Sequence, residues 1–195
     1  MSEAAAAALD GGLVVLPTDT LYGIGTRPDD PDATARLFVA KGRPRDLGLP
    51  ILTATRASAE EVALFDDRAR ALAGRFWPGP LSIVCPRAER SRGWALGGHP
   101  ATVAVRIPHH PLALAVLAIT GPLAVTSANR SGAPTPTMGD ELREVFGDAV
   151  AVYLYQEQPL EGRASTVVDL TGSELVVVRE GELGDQELRQ ALAES

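Results

Sequence analysis

Residues 12–41 read GLVVLPTDTLYGIGTRPDDPDATARLFVAK. The first six, GLVVLP, form a short apolar run between glycine and proline, the signature of a buried strand. Residues 32–41 place Ala33, Leu37, Phe38 and Ala40 near one face of a helix that starts after Asp29-Asp30-Pro31 and stops before Gly42. Strand, turn and helix are therefore the opening unit. Between them, Gly23-Ile24-Gly25 is a lone GxG, read as a turn in preference to a dinucleotide fingerprint.

The same alternation runs outward from this unit. Strands are predicted over residues 49–53, 81–85, 102–107, 123–126 and 150–154, with a hairpin pair over 166–170 and 175–179. One or two helices are predicted over 59–76, and single helices over 111–119, 138–146 and 185–193. Interleaved strands and helices imply an α/β sheet with helices covering it. At 195 residues and 45% hydrophobic, the chain is long enough for one domain that buries ~70% of its unfolded surface. No repeat, heptad seam or linker divides it. Residues 89–101, rich in glycine and carrying an exposed-looking Trp94, are the expected mobile loop.

Composition excludes several functions. No apolar run approaches the ~20 residues of a membrane span, and Glu3 and Asp10 bracket the alanine-rich start, unlike a signal peptide. A cytoplasmic protein without membrane contact is expected. The formal net charge of −7 argues against a broad basic surface for nucleic acid, so any anion site must be local. The single cysteine, Cys85, lies in the apolar run LSIVC with no histidine beside it, and reads as a buried, inert thiol. His99, His109 and His110 lack the cysteine or carboxylate partners of a metal cluster. Phosphate-loop, dinucleotide, nucleophile-elbow and zincin motifs are all missing.

Four polar clusters stand at the ends of apolar segments, where α/β sheets present ligand-binding groups. They are Pro17-Thr18-Asp19-Thr20, then Lys41-Gly42-Arg43-Pro44-Arg45-Asp46, then residues 126–132 (TSANRSG), and Ser165-Thr166. Each alone is compatible with a turn or helix-end role. Together they offer hydroxyls, amides and cations that can converge on an anionic ligand. Lys41 is conspicuous because the other seventeen basic residues are all arginine, which marks a position where a compact ammonium is not equivalent to a planar fork. Arg106 lies inside an apolar strand pattern, TVAVRIP, and needs a partner there: Asp169 or a ligand carboxylate.

PTDTLYGIG, KGRP, FWPGPLSIV, TVAVRIPHHP, TSANRSG followed by PTPT, STVVDL and VVREG occur in the order found in YrdC-like threonylcarbamoyl-AMP synthases, which the chain resembles over nearly its whole length. The resemblance implies a twisted mixed β-sheet with helices on both faces and a large concave cleft. It also implies formation of threonylcarbamoyl-AMP and pyrophosphate from L-threonine, bicarbonate or CO2, and ATP with Mg2+. Downstream threonylcarbamoyltransferase proteins would then modify adenosine 37 of tRNA, with a weak tRNA contact among the expected partners. Thr20, Arg106, Ser127 and Ser165 match threonine-binding positions. Lys41 and Arg43 match the catalytic, phosphate-binding pair, and Thr102, Asn129, Thr137 and Arg179 match further ATP-binding positions. Leu47 and Leu52 fall where the family often has polar contacts and receive no role; Thr126 replaces a common proline, and residues 155–162 replace a glycine-rich turn. The chain corresponds to the short, single-domain form. An RNA-binding module using the same cleft, or a domain forming a carbamoyl adenylate, are the alternatives.

Overall fold

The computed structural model describes residues 1–160 and 162–194; of the replaced turn at 155–162, Glu161 lies outside the described residues. Strands β1 (Val14–Leu16), β2 (Gly23–Thr26), β3 (Ile51–Leu52), β4 (Leu81–Pro86), β5 (Thr102–Arg106), β6 (Leu123–Ser127), β7 (Val152–Tyr153), β8 (Thr166–Asp169) and β9 (Val176–Arg179) form one mixed sheet. Its order is β7-β1-β2-β6-β3-β5-β4-β8-β9 among the described residues. The pairs β1/β7, β3/β5 and β4/β8 are parallel, and the others antiparallel.

Helices cover both faces. On one face, α1 (Ser2–Leu9) and α5 (Pro111–Thr120) pack against Val14, Leu16, Leu123 and Val125. The alanine run is thus a helix: Ala4, Ala5 and Ala8 are exposed by 1% or less, and their small side chains let α1 lie close to α5. On the other face, α2 (Pro31–Lys41), α3 (Arg56–Val62), α4 (Asp67–Phe76), α6 (Gly139–Phe146) and α7 (Asp185–Ala193) enclose the larger core around Val15, Ile24, Ile51, Ile83 and Val105. The predicted span 59–76 resolves into two helices because Asp66 caps a new one, its carboxylate accepting from Ala69 N. Asp30 caps α2 in the same way, and Gly42, at φ +59°, ends it in the left-handed conformation.

Two expectations are corrected. Gly23-Ile24-Gly25 is strand β2, not a turn, because Ile24 is fully buried while its glycine neighbours lie against β6. A Cβ on Gly25 would stand 2.6 Å from the Ala124 carbonyl and from Val125 Cγ2. The segment 89–101 is tied down by a 3-10 turn at Glu89–Ser91, by Ser91 Oγ donating to the Val62 carbonyl, and by Leu49 N donating to the Leu96 carbonyl. Trp94 is half-buried and packs against the main core.

The central strands explain where the cleft forms. Successive side chains on a strand alternate faces. Leu81, Ile83, Cys85 and Val105 enter the core, whereas Ser82, Val84, Thr102, Ala104 and Arg106 line a cavity. The cavity face carries small and polar residues that no helix can bury favourably.

Gly25→Ala should separate β2 from β6 by overpacking and lower the unfolding free energy by about 1–3 kcal/mol. Urea denaturation would show this as a lower midpoint at unchanged slope.

Candidate active site

The cavity holds about 600 Å³ and is lined from seven strands and the loops beside them. At one end, the turn after β1 is built by Thr18. Its hydroxyl accepts from Thr20 N and Leu21 N, both at 3.2 Å, and donates to the Leu21 carbonyl at 2.6 Å. With that proton committed, Thr20 is the donor across the 3.0 Å hydroxyl pair. Thr20 Oγ1 in turn accepts from Arg106 Nη1 at 2.9 Å. Arg106 Nε donates to the Gly79 carbonyl at 3.0 Å, and Nη2 to Asp19 Oδ1 at 2.6 Å. Asp19, not Asp169, is therefore its protein partner. Asp169 instead accepts from Thr171. Burial lowers the Arg106 pKa, against the opposing effect of Asp19. Gly162 presses on the Thr20 backbone beside this turn, leaving no room for a Cβ.

A second group forms where the C-terminus of α2 meets the segment after β6. Lys41, only 2% exposed, donates from Nζ to the carbonyls of Ser127 and Asn129, and at 3.4 Å to Asn129 Oδ1. Ser131 N donates back to the Lys41 carbonyl at 2.9 Å, and Arg130 Nη1 to the Ala40 carbonyl at 2.6 Å. Helix end and loop thus hold each other. Burial, and secondarily the Arg43 charge, push the Lys41 pKa down to about 8.

The remaining cations are also held by carbonyls. Arg43 donates to those of Leu47 and Gly48 at 2.8 and 2.9 Å. Arg179 donates from Nε and Nη2 to the Ser165 carbonyl, and Nη2 reaches Ser165 Oγ at 3.1 Å. Ser165 Oγ also lies 3.0 Å from Ser82 Oγ. Burial lowers the pKa of both arginines, and Arg179 adds to the effect on Arg43. Among the described residues, Arg106 is the one cavity-lining arginine in a salt bridge, and Asp46 opposes part of the Arg43 charge without pairing with it, so the site carries a local excess of positive charge in an acidic protein.

Of the residues singled out in the sequence, Thr20, Arg43, Thr102, Arg106, Ser127, Ser165 and Arg179 line this one cavity. Lys41 and Asn129 stand behind the wall next to Ser127, and Thr137 lies outside it, its N–H donating to Glu141 Oε2. Thr18, Ser82, Arg87, His99, Leu47 and Leu52 also line the cavity and had no assigned role. Strand parity offers the signal for Ser82, which shares the face of Val84 across from Arg106's strand; Arg87, just past β4 in an isolated antiparallel bridge to Ala63, and His99, in an irregular segment, carry no such signal.

Fold and site together define an α/β protein with a cleft for a polyanionic ligand, closed at one end by a buried arginine suited to a carboxylate. Comparison with known proteins makes the assignment specific. The profile of the Sua5/YciO/YrdC family, described as "Telomere recombination", matches residues 6–181, and the chain belongs to that family. A Mycobacterium tuberculosis protein provisionally named threonylcarbamoyl-AMP synthase is 43% identical over 183 residues, covering 93% of this chain and 84% of that one. A threonylcarbamoyl-AMP synthase of Pyrococcus abyssi is 39% identical over 187 residues, covering 95% of this chain and 55% of its own. The crystal structure of P. abyssi Sua5 complexed with L-threonine superposes with a TM-score of 0.87 at 38% identity, covering 96% of this chain and 56% of that one. The chain thus spans about half the length of the archaeal relative.

Removing Asp19 would leave the Arg106 guanidinium buried without its counter-charge. Asp19→Ala should cost about 3 kcal/mol of unfolding free energy. Small carboxylates such as formate should recover part of that loss in urea titrations and chloride should not, since a carboxylate can replace the missing partner.

Proposed function

We propose that this chain is an L-threonylcarbamoyladenylate synthase, a nucleotidyltransferase that joins L-threonine, bicarbonate or CO2, and ATP into threonylcarbamoyl-AMP with release of pyrophosphate. The observation that carries the reading is the row of carbonyl-held cations beside a carboxylate-type arginine in one cavity, on a chain whose relatives bear that enzyme's name. The product would feed the threonylcarbamoylation of tRNA adenosine 37 by downstream transferases.

Arg106, backed by Asp19, holds the threonine carboxylate, and Thr20 Oγ1, whose proton goes to Thr18, is left to accept from a donor of the substrate, with Ser127 and Ser165 nearby. The free amine takes up CO2, or condenses with bicarbonate and loses water, to give a carbamate. A carbamate oxygen then attacks the α-phosphorus of ATP as the bond to the β-phosphate oxygen breaks and pyrophosphate leaves. This step needs alignment and charge neutralisation more than a base. Arg43 and Arg179 supply positive charge at the cavity surface. Lys41 adds charge from behind and fixes the Ser127–Asn129 backbone, while Thr102 lines the nucleotide side and Asn129 shapes its wall; Thr137, outside the cavity, is given no contact.

Mg2+ is expected with ATP, but the residues do not form a cage for it. No group of three histidine, cysteine or carboxylate side chains suited to a metal occurs among the described residues, and Asp46 is the one carboxylate lining the cavity. The ion belongs on nucleotide oxygens and water, and no step is assigned to it.

Incubation with ATP and bicarbonate, with and without L-threonine, should give a threonine-dependent adenylate by mass spectrometry. A threonine-independent adenylate would indicate a carbamoyl-adenylate former, and no adenylate at all would refute the reading. Lys41→Ala should reduce pyrophosphate release to background in a protein whose circular dichroism is unchanged.

The depressed Lys41 pKa adds a pH signature. The ammonium is charged below about 8 and loses its proton as pH rises through that value. ATP is fully ionised there, so its affinity, measured by calorimetry, should weaken with a midpoint near 8. An affinity flat from pH 7 to 9 would remove Lys41 charge from ATP binding.

A further inference from the structure

Arg87 follows β4 directly, and its neighbours account for most of its hydrogen-bonding capacity. Nε donates to the Thr102 carbonyl at 3.0 Å, and Nη1 to the carbonyls of Ser91 and Trp94 at 3.0 and 2.9 Å. The residue is 6% exposed and lines the cavity. Nη2 has no acceptor among the described residues, yet it is not among the sealed, unpartnered buried atoms. The accessible edge of this guanidinium is therefore Nη2, and the open space it meets is the cavity. No carboxylate forms a salt bridge with it among the described residues.

Arg87 also stands apart from the phosphate-type cations. The Arg43 charge lowers the Lys41 pKa, and the Arg179 charge lowers those of Arg43 and Arg106, whereas the lowered pKa of Arg87 has burial as its cause and no neighbouring charge. Its surroundings differ too. The segment it holds contributes Leu96, whose carbonyl accepts from Leu49 N, and Leu49, Leu96 and Val84 give this end of the cavity apolar walls. Anionic phosphates belong beside the linked cations. A flat group with ring acceptors belongs between apolar walls with a planar donor at the end.

We infer that Arg87 is a nucleotide-binding residue at the base end of the cleft, donating from Nη2 to a purine ring acceptor of ATP and of the adenylate product. The inference rests on the ATP-dependent reading above. Arg87 places the base at the Thr102 end of β5, opposite the Arg106 end that takes the amino-acid carboxylate, with the phosphates between them along Arg43 and Arg179.

The test uses the full chain, with Arg87→Ala and the milder Arg87→Gln, and four ligands: MgATP, AMP, pyrophosphate and L-threonine. Loss of a hydrogen bond from a charged donor should raise the KM for MgATP and the Kd for AMP together, about tenfold in Arg87→Ala. The inhibition constant of pyrophosphate and the KM for L-threonine should stay within about twofold. Arg87→Gln, which keeps a planar donor, should lose less. Pyrophosphate weakened with AMP unchanged would put Arg87 at the leaving-group end and overturn the inference. A parallel loss for all four ligands would reduce Arg87 to a brace for residues 91–102, and no change would remove it from the site. If wild-type protein binds AMP but forms no adenylate, the proposed reaction fails, while AMP binding by the variants still decides the base contact.

Discussion

Backbone carbonyls, not carboxylates, hold most of the cations in this cleft. Lys41, Arg43, Arg87 and Arg179 together direct their donors at the carbonyls of Ser127, Asn129, Leu47, Gly48, Thr102, Ser91, Trp94 and Ser165. A carbonyl satisfies a donor and fixes its direction but carries no net charge. The side chains are thus oriented before any ligand arrives, and their charge stays available to it. The arrangement disfavours the empty state, because burial works against each charged form, as the lowered pKa values record. The large core on the opposite face of the sheet offsets that cost and keeps the loops in place.

Arg106 follows the other rule. It is buried, and Asp19 compensates it at 2.6 Å. The same carboxylate oxygen accepts from His109 N at 2.8 Å, so the chain after β5 is pinned to the turn after β1. A ligand carboxylate arriving here meets a guanidinium that is already partly neutralised. In the proposed role its binding would be held in check and would favour a ligand that can also donate to Thr20 Oγ1. On the proposed reading, charge held by carbonyls would face the phosphates and charge shared with Asp19 would face the single carboxylate, matching the different anionic character of the two substrate ends.

Much of this was legible in the sequence, and the reason is strand periodicity. The run TVAVRI places Thr102, Ala104 and Arg106 on one face, so an arginine among apolar residues could be recognised as belonging to a polar face. The lone lysine and the polar clusters at strand ends were visible for the same local reasons. What stayed hidden depends on contacts distant in sequence. Asp19 and Arg106 are 87 positions apart, and nothing local distinguishes Asp19 from Asp169 as the partner. Gly23 and Gly25 read as a turn because their need for absent side chains comes from β6, about a hundred residues later. The alanine run gave no amphipathic signal, since small residues on a helix are chosen by the closeness of a neighbouring helix. Arg87 sits beyond the end of a strand, where parity no longer applies.

The line from Thr102 to Arg106 sets the scale of the proposed chemistry. Four residue steps along a strand span ~13 Å, and this strand pairs with β4 at residues 102–105 and with β3 at Val105 and Arg106. The two ends of the cleft are therefore set apart by one paired strand of the central sheet. A carbamate that must meet an α-phosphorus in line needs its carboxylate anchor and its nucleotide anchor at a fixed separation, and a paired central strand provides it with little thermal play. Cys85 shares this part of the sheet but faces the core, and burial pushes its thiol up to about 12, so it offers no nucleophile. In the proposed reaction the site would act by holding the carbamate and ATP at the spacing of one strand and by keeping positive charge beside the phosphates.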